Sequence, residues 1–141
     1  MLTANKKVAL SGQTKDATYN KEEWSKRISK IKSFVKCGLI TYSDHALLQM
    51  KSRNISKKDI EIALTAYNST IVQCHAVNTY GNNQDELVVI LGKISTKSGR
   101  KPLHIVLAEH VSINGGITYI VVTSYVPDNT HFYASGRVIR N

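Results

Sequence analysis

The sequence predicts an α+β domain, with three N-terminal helices packed on one face of a four- or five-stranded antiparallel sheet. Two observations predict it. Between positions 20 and 67, apolar residues recur at steps of three and four, the repeat of helices that each bury one stripe. Past residue 70 the pattern becomes β-branched runs and alternation, punctuated by Gly and Asn, as strands and turns require. Helices and strands segregated along a chain give a sheet covered by helices, not a βαβ alternation. The 141 residues suit one domain whose core needs no staple. We assign that domain to residues 20–141, with residues 1–19 a flexible basic arm of weak periodicity.

The first helix is predicted to start at Asn20, with Glu23 three residues on as in a capping box. Trp24, Ile28, Ile31 and Val35 draw its apolar stripe, and Gly38 is its stop. The second helix follows Ser43, buries Ala46, Leu47 and Met50, and ends at Asn54, which tolerates the left-handed conformation. The third opens at Ser56 with Asp59 as capping partner and carries Ile60, Ala63, Leu64 and Tyr67. Strands are then expected over Thr70–Tyr80, Glu86–Ile94, Pro102–His110 and Ile117–Val126. The second of these is an almost unbroken apolar run, so it should be covered on both faces. Gly81–Asp85 and Asn114-Gly115-Gly116 mark turns, Ser95–Lys101 is a polar connection, and His131–Ile139 gives a last edge strand or a tail.

Charge narrows the function. Nineteen Lys and Arg face ten Asp and Glu, a net of +9. Residues 1–60 hold thirteen basic and five acidic side chains, and residues 61–141 hold six and five, so the excess is concentrated in the front half. That asymmetry suits a polyanionic partner, nucleic acid before a membrane surface. No apolar run approaches the ~20 residues a membrane-spanning helix needs, and Val8-Ala9-Leu10 is too short for a signal peptide. Cys37 and Cys74 lack C-x-x-C spacing. A reduced, cytoplasmic protein is expected.

The second helix is the most distinctive segment. His45, Gln49 and Arg53 step by four residues and share one face. An imidazole near a helix N-terminus is biased toward its neutral, basic form. Arg53 stays charged and suits a phosphate or the charge that builds on it. The competing reading has His45 packing locally and Arg53 paired with a carboxylate. On the third strand, Leu103, Ile105 and Leu107 share a face with Glu109, while His104 and His110 lie opposite, about 20 Å apart and unable to share a metal. On the last strand, alternation places Tyr119, Val121, Thr123 and Tyr125 on one face. Tyr125 stands at the strand end, where it could stack on a base or bond a phosphate. Arg137 and Arg140 follow two aromatics, a weak nucleic-acid pattern. No phosphate loop, dinucleotide fingerprint or nucleophile elbow is present, and the acids form no constellation for a metal-dependent nuclease. No cofactor is expected.

These residues resemble a family. Ser43-Asp44-His45-Ala46, Met50 and Arg53-Asn54-Ile55-Ser56 resemble the S-x-H-A-x-x-R-M-x-x-R-x-I-S signature of a group of small, largely uncharacterised bacterial proteins. Arg100–Val106 and Val121–Asp128 are similar to that group's R-P-L-H-V-V and T-x-Y-x-P-D segments. The group is distantly similar to the RelE/ParE-like ribonuclease toxins, compact α+β domains without metal that cleave RNA or poison nucleic-acid machinery. The resemblance covers about residues 39–137 and implies a RelE-like fold. It supports His45, Arg53, His104, Thr123 and Tyr125 as site residues, with Arg137 at a late basic position. One departure is Gln49, where the signature has an arginine that a neutral amide cannot replace as a phosphate clamp.

The expected function is a metal-independent endoribonuclease of toxin type, in which the RNA 2′-OH attacks the adjacent phosphate. His45 or His104 would serve as base or acid, Arg53 would face the phosphorane charge, and Tyr125 would position substrate. Thr123, Arg137, Lys51 and Arg100 would contact the nucleic acid. A neutralising antitoxin or immunity protein is the expected protein partner, and the chain could be a delivered toxin domain. The rival is a non-catalytic module that binds nucleic acid or protein.

Overall fold

In the computed structural model, which describes residues 21–127, the first helix α1 runs Lys21–Lys36. It buries Trp24, Ile31 and Val35, with Ile28 packed beside them. It ends in a Schellman motif: Gly38 takes φ 72°, its N–H donates to Val35 O at 3.0 Å, and Leu39 N–H donates to Phe34 O at 2.8 Å. Strand β1 (Ile40–Tyr42) follows, then α2 (Asp44–Ser52) and α3 (Lys57–Thr65). The side chain of Ser43 caps α2, and Asn54 at φ 58° closes it with the same pair of backbone bonds as at α1. Ser56 and Asp59 form the reciprocal capping box expected for α3. Ile60, Ala63 and Leu64 are buried, whereas Tyr67 lies past the helix end and is 95% exposed, so it is no part of the stripe.

Strands β2 (Thr70–His75), β3 (Glu86–Thr96), β4 (Gly99–Val111) and β5 (Ile117–Tyr125) form an antiparallel meander. The order in space is β1-β5-β4-β3-β2. β1 lies parallel to β5 at one edge, pairing Ile40 with Tyr119 and Tyr42 with Val121, so the five-stranded sheet is mixed and not purely antiparallel. The expected polar connection over 95–101 is a tight hairpin with only Lys97-Ser98 between the paired Thr96 and Gly99. β2 stops at His75, five residues short of its expected end.

All three helices pack on one sheet face, over Val88, Ile90, Leu103, Ile105, Leu107, Tyr119 and Val121. Gly92 permits the closest approach: a Cβ there would lie 2.8 Å from the Cβ and the carbonyl oxygen of Ala63 on α3. The second face is also apolar, with Val72, Leu87, Val89, Leu91, Val106 and Ala108 buried, and no described helix contributes to that cluster. Among the described residues no helix is long and apolar enough to cross a membrane. Residues 1–19, Asn20, the segment His131–Ile139, Arg137 and Arg140 lie outside the described residues.

Candidate nucleic-acid site

Short β1 sets up the site. It pairs with β5 only through Tyr119–Val121, and Ser43 N–H adds one bond to Val121 O at 3.0 Å. Beyond that point the outer edge of β5 has no strand neighbour among the described residues, and α2 packs beside it. Arg53 is the C-cap of α2, which delivers its guanidinium to this edge. Nη1 donates to Ser124 O at 2.5 Å, to Gln49 Oε1 at 3.3 Å and to Thr123 Oγ1 at 3.4 Å. The Thr123 hydroxyl itself donates to Gln49 Oε1 at 2.5 Å. Every acceptor is neutral, so the charge is held in place without being cancelled. Nε and Nη2 meet no acceptor among the described residues, which leaves donors for an anion.

The far end of β5 differs from simple alternation. A β-bulge at Val122 shifts the register, so Val121 pairs with Leu107 but Thr123 pairs with Val106. Tyr119 and Val121 therefore face the helices, while Thr123 and Tyr125 turn to the second face. The expectation of one shared face for these four residues fails because the bulge inserts one residue into the period. Its consequence is chemical: Tyr125 now stands opposite His104. The rings meet edge to face with centroids 5.4 Å apart, and His104 Nδ1 lies 3.4 Å from the Tyr125 hydroxyl. His104 is fully buried and Tyr125 half-buried.

A groove of about 570 Å³ opens here. Arg53, Asn54 and Ile55 form one wall, Ile94–Lys97 the other, and Tyr125 and Val126 close it. The structure thus brings together Arg53, Thr123, Tyr125 and His104. His45 is exposed in the first turn of α2, about 12 Å along the helix from Arg53, and does not line the groove. Lys51 and Arg100 are exposed and also outside the lining. Lys97 lines it without having been singled out by the sequence, because its place depends on the hairpin geometry. Among the described residues no group of three or more His, Cys, Asp or Glu side chains is placed to hold a metal ion.

A second polar cluster lies on the helix side. Arg27 on α1 donates through Nη2 to Glu86 at 2.8 Å and Glu109 at 2.9 Å, and Tyr119 donates its hydroxyl to the other Glu109 oxygen at 2.7 Å. Burial opposes the Arg27 charge, but Cys74, Glu109 and Glu86 outweigh it and the pKa is raised. Burial pushes the Tyr119 pKa up, reinforced by the hydrogen bond to Glu109 and its charge, with Arg27 opposing. One signal in the sequence points to this cluster: Glu109 shares a face with Leu103, Ile105 and Leu107, and a carboxylate on a buried face needs a cation.

Fold and site together define a small α+β domain with an uncancelled arginine and a Tyr–His pair at one strand edge. The chain belongs to the family described as a domain of unknown function (DUF4258), whose profile matches residues 42–129. The match runs from the end of β1 past the end of β5, so it contains Arg53, His104, Thr123 and Tyr125 and leaves α1 with Arg27 outside. No curated protein and no solved structure matches the chain.

Proposed function

We propose that this domain is a metal-independent endoribonuclease of toxin type, acting at the β5 edge. The observation that carries the reading is Arg53, fixed through one nitrogen by three neutral acceptors and so still fully charged, beside the Tyr125–His104 pair. The remaining N–H groups of Arg53 hold the non-bridging oxygens of the scissile phosphate and stabilise the charge that builds on them. Tyr125, the half-buried member of the pair, takes the proton of the 2′-OH while passing its own to Nδ1 of His104. The 2′-oxygen bonds to phosphorus, the bond to the 5′-oxygen breaks, and the proton returns by the same route to the leaving oxygen. The products are a 2′,3′-cyclic phosphate and a free 5′-hydroxyl. The resemblance of the 43–56 segment and of the later strands to toxin-like proteins supports the same reading, and with it a RelE-like fold and a neutralising protein partner.

The test is purified protein incubated with total RNA in EDTA. Fragments ending in cyclic phosphate are expected, and Arg53→Ala and Tyr125→Phe should each abolish them. Intact RNA after incubation with the wild type would overturn the catalytic reading. A second reading, a non-catalytic nucleic-acid-binding module, is favoured by the complete burial of His104 and by neutral Gln49 at the signature's arginine. Intact RNA with retarded migration would support it.

A further inference from the structure

Beyond the groove, the β3–β4 hairpin outruns its neighbours. β2 pairs with β3 only as far as Leu91, and β5 pairs with β4 only as far as His104. Among the described residues, Gly92–Leu103 therefore form a two-stranded ribbon paired with no strand but itself, about 16 Å long at 3.3 Å per residue. Its root is firm, since Ile94 and Leu103 are buried and Gly92 lies against Ala63 of α3. Its outer part carries Lys93, Lys97, Arg100 and Lys101, all exposed, and the ribbon contains no Asp or Glu. Helices α1 and α3 mix lysines with Glu22, Glu23, Asp59 and Glu61, whereas the charge on the ribbon is of one sign only.

Geometry ties this charge to the site. Lys97 lines the Arg53 groove. The register puts Lys93 opposite Pro102 and Arg100 opposite Ser95, on the same sheet face as His104 and Tyr125. Lys101 pairs with Ile94 on the other face, so cations on the turn and on both faces of the ribbon continue outward from the Tyr125 end. We infer that the ribbon binds the sugar-phosphate backbone of an RNA strand entering the groove, gripping nucleotides that flank the one at Arg53. The inference rests on the groove's taking an RNA phosphate. It does not require cleavage there.

The test is the triple variant Lys93→Gln, Arg100→Gln, Lys101→Gln, with Lys97 left intact. Binding of a labelled, uncleavable 2′-O-methyl oligoribonucleotide is followed by fluorescence anisotropy as salt is raised. Each phosphate contact to a single strand contributes about −0.7 to the slope of log affinity against log salt, so the slope should become shallower by about 2. Between 50 and 200 mM salt the wild type should lose affinity by roughly 20-fold more than the variant. Thermal melting should be unchanged, because all three side chains are exposed. An unaltered salt slope would overturn the inference even if the wild type cleaves RNA. A shallower slope in a protein that cleaves nothing would uphold the ribbon and remove the catalytic reading. Binding of polyglutamate as tight as that of RNA, and equally weakened in the variant, would reassign the ribbon to an acidic protein and overturn the inference.

Discussion

Arg27 and Arg53 are both tied down at the guanidinium, yet to opposite kinds of partner. Arg27 meets two carboxylates, Glu86 and Glu109, at a place where its side chain is 16% exposed. Arg53 meets a backbone carbonyl, an amide oxygen and a hydroxyl at the surface. At about 4 Å and an effective dielectric of 20, a unit charge pair is worth about 4 kcal/mol, enough to neutralise the first guanidinium as an anion receptor. The second is positioned just as firmly but keeps its charge. The lesson is that the partner's charge, and not the number of hydrogen bonds, separates an arginine that fastens a helix from one that can bind a ligand.

The largest expected effect breaks the comparison at Arg53. Arg53→Ala should lower RNA cleavage by about 100-fold or more, the scale of losing a charge-stabilising donor. Its cost in folding stability should stay near ~1 kcal/mol, the net worth of surface hydrogen bonds to neutral acceptors. Arg53→Lys should not restore activity, because an ammonium lacks the planar fork that reaches the strand edge and a phosphate together. Initial rates on a labelled RNA and chemical denaturation of the same samples check both halves.

Next comes Arg27→Ala, which should reverse the pattern. Removing one partner of a largely buried ion pair leaves Glu109 facing the core side with only Tyr119, at a cost of about 2–4 kcal/mol. Cleavage per folded molecule should not change. Arg27→Met, which removes the charge but keeps bulk, should be less damaging when combined with Glu109→Gln than alone, as a denaturation cycle over the four proteins would show.

Much of the fold was legible because its signals are local. Ser43, Asn54 and the Ser56–Asp59 pair act within a few residues of themselves, and each stands where the backbone needs it. What escaped was non-local. β1 is three residues long, too short for any period to show, and it pairs with a strand that begins 75 residues after β1 ends. The bulge at Val122 leaves no mark in a run of β-branched residues, yet it alone decides that Tyr125 meets His104 and not the helices. Arg53 was legible as a cation on a helix face, whereas the neutrality of its acceptors depends on where β5 comes to rest. His45 shares a helix face with Arg53, but eight residues along a helix is too far to share a groove lined from the C-terminal end.

Gln49 sharpens the comparison from within the site. Its amide oxygen receives both Thr123 and Arg53, so it is a fastening for the guanidinium. Gln49→Ala should loosen Arg53 without removing it, lowering cleavage by about tenfold, an order less than Arg53→Ala. Gln49→Glu keeps the acceptor but supplies the missing negative charge, converting Arg53 toward the condition of Arg27. Affinity for RNA should then fall while the melting temperature holds or rises, and a fall in both would argue that Gln49 is merely packing.

The smallest effect is a pH dependence expected of the Arg27 cluster and not of the groove. Tyr119 has its pKa raised above the ordinary 10.0, by burial first and then by the hydrogen bond to Glu109. Below pH 10 the phenol is protonated in both folded and unfolded chains, and its contribution to stability is complete. Above pH 10 the unfolded chain releases the proton while the folded chain keeps it, so stability falls as pH rises toward the raised folded value. Tyr119→Phe should be less stable than the wild type at pH 8, because Glu109 loses a donor, but should decline less steeply between pH 10 and pH 11. Urea midpoints at both ends of that interval measure the difference in slope. Parallel declines in the two proteins would mean that Tyr119 keeps no proton for Glu109, and the closed character assigned to the Arg27 cluster would go with it.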